Sequence, residues 1–253
     1  MTQQRRIFLA LTAAALVAST AQAHDWGWNF GGGERVKGSG EIASESRDPG
    51  AFDGVSLTGG FKAQIRQAAG NKVEIRTDKN ILPYIETKVV ENGKGRTLEI
   101  GVKRGYNIST SNTPMLVLDM PQLRHVSIAG SGDVKIEPMK TGAVDISIAG
   151  SGDIKFDNLM SERLGVSVSG SGDVSGTGKT GNLKISVAGS GDVKLRGMEA
   201  DEGKVTIAGS GDAEVNVKGK LNVSVAGSGD VGYVGSPEIS TSIAGNGKVR
   251  KIN

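Results

Sequence analysis

Six aspartates stand at regular intervals in the second half of the chain, and they are the residues whose type and spacing could do chemistry. Each one ends a glycine-rich turn, Gly-Ser-Gly-Asp, that recurs about every 20 residues. The row consists of Asp133, Asp153, Asp173, Asp192, Asp212 and Asp230. Such carboxylates could bind a line of calcium ions, act in pairs on a glycosidic bond, or close turns by accepting hydrogen bonds from backbone amides.

The turn motif favours a structural role for this aspartate row. Calcium-binding β-rolls carry a Gly-Gly-x-Gly-x-Asp turn about every nine residues, whereas this turn has another form and comes once per repeat. Carboxylates stacked about 4.8 Å apart would repel by roughly 0.9 kcal/mol per pair even in water, so hydrogen-bond donors or cations must offset their charge. Backbone amides, or Lys135, Lys155 and Lys194 two residues after the turn, would do so. A row of calcium ions stays the alternative.

Catalysis is the weaker interpretation of the same carboxylates. Stacked coils place carboxylates about 5 Å apart automatically, so this spacing does not indicate a glycosidase pair. Enzymes that cleave polysaccharides also use aromatic platforms, and from Gly130 onward only Phe156 and Tyr233 are aromatic. The sequence therefore predicts no catalytic residue, no metal ligand and no cofactor. An enzyme acting on polysaccharide is kept as an alternative.

The repeat itself predicts the fold that positions these residues. The turn glycines are Gly130, Gly150, Gly170, Gly189, Gly209, Gly227 and Gly245. A period near 20 residues indicates a solenoid, in which each coil stacks only on its neighbours. Apolar and polar residues alternate before the turn, as in Val144, Ile146 and Ile148, and again after it, which predicts two strands per coil. The predicted class is all-β, a parallel β-solenoid (β-helix) of about 20 residues per coil with less regular N-terminal coils.

Alternation along the strand before each turn separates an inward row from two outward rows. The inward row predicts core residues, which are Ile128, Ile148, Val168, Val187, Ile207, Val225 and Ile243. The outward rows form what we call the Ser/Ala face, with Ser127, Ser147, Ser167, Ser186, Thr206, Ser224, Ala149, Ala188, Ala208 and Ala226 as its members. Sheet surfaces turned to water usually carry charged side chains, so this face predicts a contact surface for a partner or another subunit, with a trimer as the first guess.

The N-terminus predicts export. Arg5 and Arg6 precede an apolar stretch from Ile7 to Ala18, and Ala21-Gln22-Ala23 is a small-residue cleavage site, so residues 1–23 read as a signal peptide. The stretch "RRIFLA" also resembles the twin-arginine motif, and both export routes stay open. A flexible glycine-rich tail is expected over residues 24–47, followed by a solenoid domain over 48–253 with regular repeats over 126–252.

Composition excludes several other classes of protein. The chain has 253 residues and 37% apolar content, which is enough for one sizeable core. Its formal charge of +3 falls to +1 without the signal peptide, and the charges are scattered, which disfavours nucleic-acid binding. The chain has no cysteine, and no apolar run after the signal is long enough to span a membrane.

Several phrases of the sequence occur in an order that resembles a known family. They are "VKGSGEIASESRDPGAFDGVSLTGGFKAQIRQ", "NKVEIRTDKNILPYIETKVVENGKGRTLEIGVK" and "MLVLDMPQLRHVSIAGSGDVKI". From about Val36 to Val249 the chain resembles the bacterial head-GIN-domain family of autotransporter adhesin heads. The resemblance implies a secreted all-β domain, and the family offers no catalytic residues that could be assigned to positions of this sequence.

The combined prediction is an exported, non-catalytic module for binding, adhesion or assembly at the bacterial envelope, in the periplasm or at the cell surface. Its expected partner is an envelope or extracellular protein or glycan. A flat-faced surface binder of the ice-binding kind is a further alternative, although such proteins usually array threonine.

Overall fold

The computed structural model describes residues 33–93 and 95–252. The predicted signal peptide and the first part of the predicted tail lie outside the described residues. The strands are β1 (Glu34–Lys37), β2 (Ile42–Arg47), β3 (Gly54–Thr58), β4 (Lys62–Gln67), β5 (Lys72–Asp78), β6 (Ile85–Asn92), β7 (Gly95–Val102), β8 (Tyr106–Ser109), β9 (Met115–Met120), β10 (His125–Gly130), β11 (Asp133–Ile136), β12 (Met139–Lys140), β13 (Ala143–Gly150), β14 (Asp153–Gly170), β15 (Val174–Gly189), β16 (Val193–Gly209), β17 (Ala213–Gly227), β18 (Val231–Val234), β19 (Glu238–Gly245) and β20 (Val249–Lys251). A 3₁₀ helix spans Leu82–Tyr84.

Equivalent strands of successive coils pair in parallel, which confirms the predicted β-solenoid. The Ser/Ala face stacks β3, β10, β13, the C-terminal parts of β14 to β17, and β19. A second side, which we call the lysine face, stacks β4, β11, the N-terminal parts of β14 to β17, β18 and β20. One corner therefore recurs between these two faces in every coil.

Each long strand also contributes a third, short side, which differs from the predicted two strands per coil. The pairing of β14 with β15 is interrupted after Phe156 and resumes at Leu159. Between them Asn158 has a φ of 48°, a left-handed conformation that asparagine tolerates and that bends the chain. Leu159 is fully buried, so in this coil the bend adds one more inward residue rather than an exposed loop.

Apolar ladders fill the interior of the solenoid. Six of the seven predicted core residues are buried: Ile128, Ile148, Val168, Val187, Ile207 and Val225. Ile243 occupies the same row but its side chain is 42% exposed, so its assignment to the core is wrong. The reason is its place in the last described coil, where β19 pairs with β17 on one side and no further described coil lies on the other.

Antiparallel strands extend the N-terminal end. On the Ser/Ala side β7 continues the parallel stack below β3, and β6 pairs antiparallel with β7. On the lysine side β9 lies below β4, followed by β5 and β2 in antiparallel pairing. Long-range pairs, which the irregular spacing of the sequence before residue 120 does not reveal, thus organise this part of the chain.

Residues 34–47 differ from the flexible tail predicted over residues 24–47, because they form β1 and β2. Asp78 at the end of β5 holds the connection between these strands: its carboxylate accepts hydrogen bonds from the Gly40 amide (2.7 Å), the Asn112 side chain (3.1 Å) and the Thr110 hydroxyl. The hydrogen bond from Thr110, followed by those from Asn112 and Gly40, lowers the pKa of Asp78.

Among the residues that the structure describes, no helix is long and apolar enough to cross a membrane.

Candidate interaction surface

The corner before each aspartate requires glycine for two reasons. Gly150 has a φ of 134°, a conformation that side-chain-bearing residues rarely adopt. A Cβ at Gly150 would also lie 2.3 Å from the Gly130 carbonyl oxygen of the preceding coil, and one at Gly152 would lie 2.2 Å from the Gly132 oxygen. The corners of neighbouring coils therefore stack backbone on backbone, which brings the flanking rows into register.

The aspartate row forms a hydrogen-bonded ladder from coil to coil. The Asp173 amide donates to Oδ1 of Asp153 at 3.0 Å, and the Asp192 amide donates to Oδ1 of Asp173 at 2.9 Å. The same bond recurs from Asp212 to Asp192, from Asp230 to Asp212, and from Lys248 to Asp230. Five of the six carboxylates thus accept a hydrogen bond from a backbone amide of the next coil, which offsets the repulsion expected between stacked charges. Asp133 is the exception, because the Asp153 amide donates to the Gly132 carbonyl and Asp133 lies 3.9 Å from Lys62 instead.

Lysine side chains neutralise less of the charge of the aspartate row than their spacing in the sequence suggests. Lys194 lies 3.4 Å from Asp192, but Lys135 pairs with Glu137 (2.9 Å) and Asp157 (3.7 Å). The hydrogen bond between Lys135 and Glu137 raises the pKa of the lysine and lowers the pKa of the glutamate. Among the described residues no three carboxylate or imidazole groups converge as metal ligands would.

All ten predicted members of the Ser/Ala face lie together on one side of the solenoid. The serine row runs in register through Ser127, Ser147, Ser167, Ser186, Thr206 and Ser224. The alanine row runs through Ala149, Ala188, Ala208 and Ala226, with Ser169 between the first two. Their side chains are half-buried or exposed, while Ile148 and Val187 between the two rows point into the core.

Sequence reasoning missed two members of this face. Ser56 and Thr58 of β3 pair with Ser127 and Ala129 of β10, so they extend both rows by one coil toward the N-terminus. The signal was present in "VSLTG", which has the alternation of "VSIAG" but lacks the Gly-Ser-Gly-Asp turn. The face ends where β7 places Glu99 beside Ser56.

Charged residues border the Ser/Ala face on the same strands, which narrows the uncharged surface that the sequence predicts. Asp145, Lys184 and Lys204 stand two residues before the serine row and also point outward. Arg163 pairs with Asp145 at 3.1 Å along this border. On the other side the alanine row adjoins the corner serines, which are exposed, such as Ser151 and Ser190. The face is thus a strip of hydroxyl and methyl groups, two rows wide and about seven coils long, that charges border on one side.

Comparison with known proteins identifies relatives of the domain. The sequence matches a family described as "Putative auto-transporter adhesin, head GIN domain" over residues 51–237. No curated protein matches the sequence. A crystal structure named "Putative lipid binding protein" from Parabacteroides distasonis ATCC 8503 is 25% identical, covers 87% of this chain and 100% of its own, and superposes with a TM-score of 0.70. A structure named "putative adhesin" from Bacteroides fragilis NCTC 9343 is 23% identical, with 86% and 100% coverage and a TM-score of 0.79.

Proposed function

The chain belongs to the head GIN domain family of auto-transporter adhesins, and we propose that it is exported and acts as a non-catalytic binding module at the bacterial envelope. Its contact surface is the Ser/Ala face, and its partner is an envelope or extracellular protein or glycan. The family description refers to adhesion and the name of the Parabacteroides distasonis protein refers to lipid binding, and neither refers to catalysis.

The observation that carries this proposal is the continuity of the Ser/Ala face. Small side chains stay in register over every coil from Ser56 to Ser224, although the neighbouring outward positions change freely among Asp145, Lys184 and Asn222. The interior does not require this uniformity, because these rows point away from it. A flat row of hydroxyl and methyl groups lets another backbone or a sugar ring approach closely along the whole length of the solenoid.

A long charged side chain in the middle of this face should block such contact without disturbing the core. We expect Ser186→Arg to reduce retention of the purified protein on whole bacteria and on immobilised envelope glycans by at least tenfold. Ser186 lies between Ser167 and Thr206, while the inward neighbours Ile185 and Val187 remain unchanged. The β-rich circular dichroism spectrum should persist.

Ser175→Arg is the matched control, because the same substitution falls on the lysine face between Lys155 and Lys194. It should leave retention unchanged. Equal retention by wild type and Ser186→Arg, or equal loss from both variants, would show that the Ser/Ala face is not the contact surface.

A further inference from the structure

The C-terminal end of the solenoid is an open sheet edge. In the part of the chain that the structure describes, β19 pairs only with β17 and β20 pairs only with β18. The backbone amide and carbonyl groups on the other side of β19 have no described strand beside them. Ile239, Thr241 and Ile243 continue the inward rows of Leu221, Val223 and Val225, so this edge also presents the cross-section of the core.

Within this edge, β19 lacks the charges that protect the edge strands at the other end, whereas β20 carries Arg250 and Lys251. Among the N-terminal strands, the edge strand β2 carries Glu45 and Arg47, and the edge strand β6 carries Glu86, Lys88 and Glu91. Charged residues on an edge strand oppose pairing with another chain. In contrast, β19 reads "EISTSIAG" and has no charge after its first residue. The composition of β19 is therefore that of a strand that can pair with a strand of another chain.

The aspartate ladder decides the direction of that pairing. Every aspartate from Asp153 to Asp230 accepts a hydrogen bond from the amide of the following coil, but the last described coil carries Lys248 at this place. A further parallel coil would find no carboxylate at Lys248 and would place its corner beside an ammonium group. An antiparallel partner does not use this ladder, since its own corner lies at the opposite end of β19.

We propose that β19 pairs antiparallel with β19 of a second copy of this chain, around a two-fold axis at Thr241. This register places Ile239 opposite Ile243, and Thr241 opposite its own copy, so that all inward residues meet inward residues. Threonine pairs and aliphatic pairs are favourable across antiparallel strands. A register one residue away would oppose inward and outward side chains and is excluded.

The same register is favourable for the charges. Glu238 lies opposite Ala244 of the second copy, so no like charges face each other along β19. The corner that contains Lys248 comes to the end of the partner strand where Glu238 lies, which pairs opposite charges. Because each copy contributes a single coil of about 18 residues, somewhat less than the roughly 20–30 residues a side of a standard interface, the dimer should be weak.

This dimer would double the length of the Ser/Ala face. Its two-fold axis is perpendicular to that face, so the faces of the two copies lie side by side in one continuous sheet. The inference does not depend on the proposed function, since the pairing uses the end of the solenoid and not that face.

A cysteine at the two-fold axis provides the sharpest test, because the chain has none of its own. Directly opposed residues of antiparallel strands have Cα atoms about 4.5–5.5 Å apart, which a disulfide can bridge. We expect full-length Thr241→Cys to form a disulfide-linked dimer in high yield under mild oxidation at about 100 µM. Ser242→Cys is the control, since residues 242 of the two copies would lie beyond disulfide reach and should link at least tenfold less.

Two outcomes would overturn the proposal. If Thr241→Cys stays monomeric, or links no more than Ser242→Cys, the end is not paired in this way. If instead Ser186→Cys links efficiently, the copies associate through the Ser/Ala face. Light scattering on the cysteine-free chain gives the independent readout: the wild-type mass should rise toward twice the monomer with concentration, and Thr241→Arg, which places two like charges on the axis, should remain monomeric.

Discussion

At the scale of single residues, a backbone amide explains why an aspartate recurs at the five corners from Asp153 to Asp230. An acceptor is needed there because the amide of the next coil points at the carboxylate, as Asp192 does at Asp173. The last described corner has no further described coil beyond it, and Lys248 stands there while its own amide still donates to Asp230. The requirement is therefore for an oxygen at this position. We therefore expect a neutral side-chain oxygen to serve as well as a carboxylate.

A structural aspartate row and a metal-binding row respond differently to the loss of one carboxylate charge. Asp173→Asn keeps an oxygen acceptor and removes one of a stack of like charges, so we expect its stability to stay within about 0.5 kcal/mol of wild type. Asp173→Ala leaves the Asp192 amide without its acceptor and should cost about 1–2 kcal/mol in urea unfolding. Chelator should change neither value. A calcium row would contradict this by losing stability in both variants and on chelation, with recovery only on adding calcium.

At the scale of strands, side chains of one coil occupy the space that the next coil leaves open. Phe156 is fully buried and pairs with Gly176, where a Cβ would lie 2.2 Å from the aromatic ring. His125 fills the space above Gly54 in the same way. Alternation predicts that Phe156 points inward, but it cannot predict that a glycine 20 residues later must receive its ring. At such positions the sequence departs from the repeat, because a large side chain in one coil requires a glycine in its neighbour.

The fit between Phe156 and Gly176 should appear as coupling between two substitutions. Gly176→Ala alone forces the ring to move and should cost about 1–3 kcal/mol, as overpacked cores do. With Phe156→Leu in the background the added methyl group gains room, and the same change should cost at least 1 kcal/mol less. Urea unfolding of the two single variants and the double variant measures this coupling. Gly142→Ala serves as control, because a Cβ there meets nothing within 4 Å and should be nearly neutral. Additive costs would refute the proposed contact.

At the scale of the whole molecule, the sequence predicts the regular half of the fold coil by coil, but it predicts the N-terminal half only as less regular coils. A period of 18–20 residues predicts parallel stacking, the inward rows and the Ser/Ala face, because each coil contacts only its neighbours. Before residue 120 the partners are set by pairings such as β2 with β5 and β4 with β9, which no local pattern encodes. The exposure of Ile243 was missed for a related reason, since a repeat pattern does not show where stacking ends.

If nearest-neighbour stacking holds the solenoid together, one whole coil should be removable. Deleting residues 190–209 joins Gly189 directly to Ser210. Because Gly189 and Gly209 are equivalent corner glycines, every inward row stays inward. We expect this variant to keep its β-rich circular dichroism spectrum, to unfold at lower urea concentration, and to be shorter along its axis by about 4.8 Å in small-angle scattering. Deleting only residues 190–199 removes the corner and half a coil, which misaligns the rows, and should abolish the folded spectrum. A whole-coil deletion that unfolds as completely as the half-coil deletion would show that the coils are not independent units, and that the fold relies on contacts reaching beyond adjacent coils.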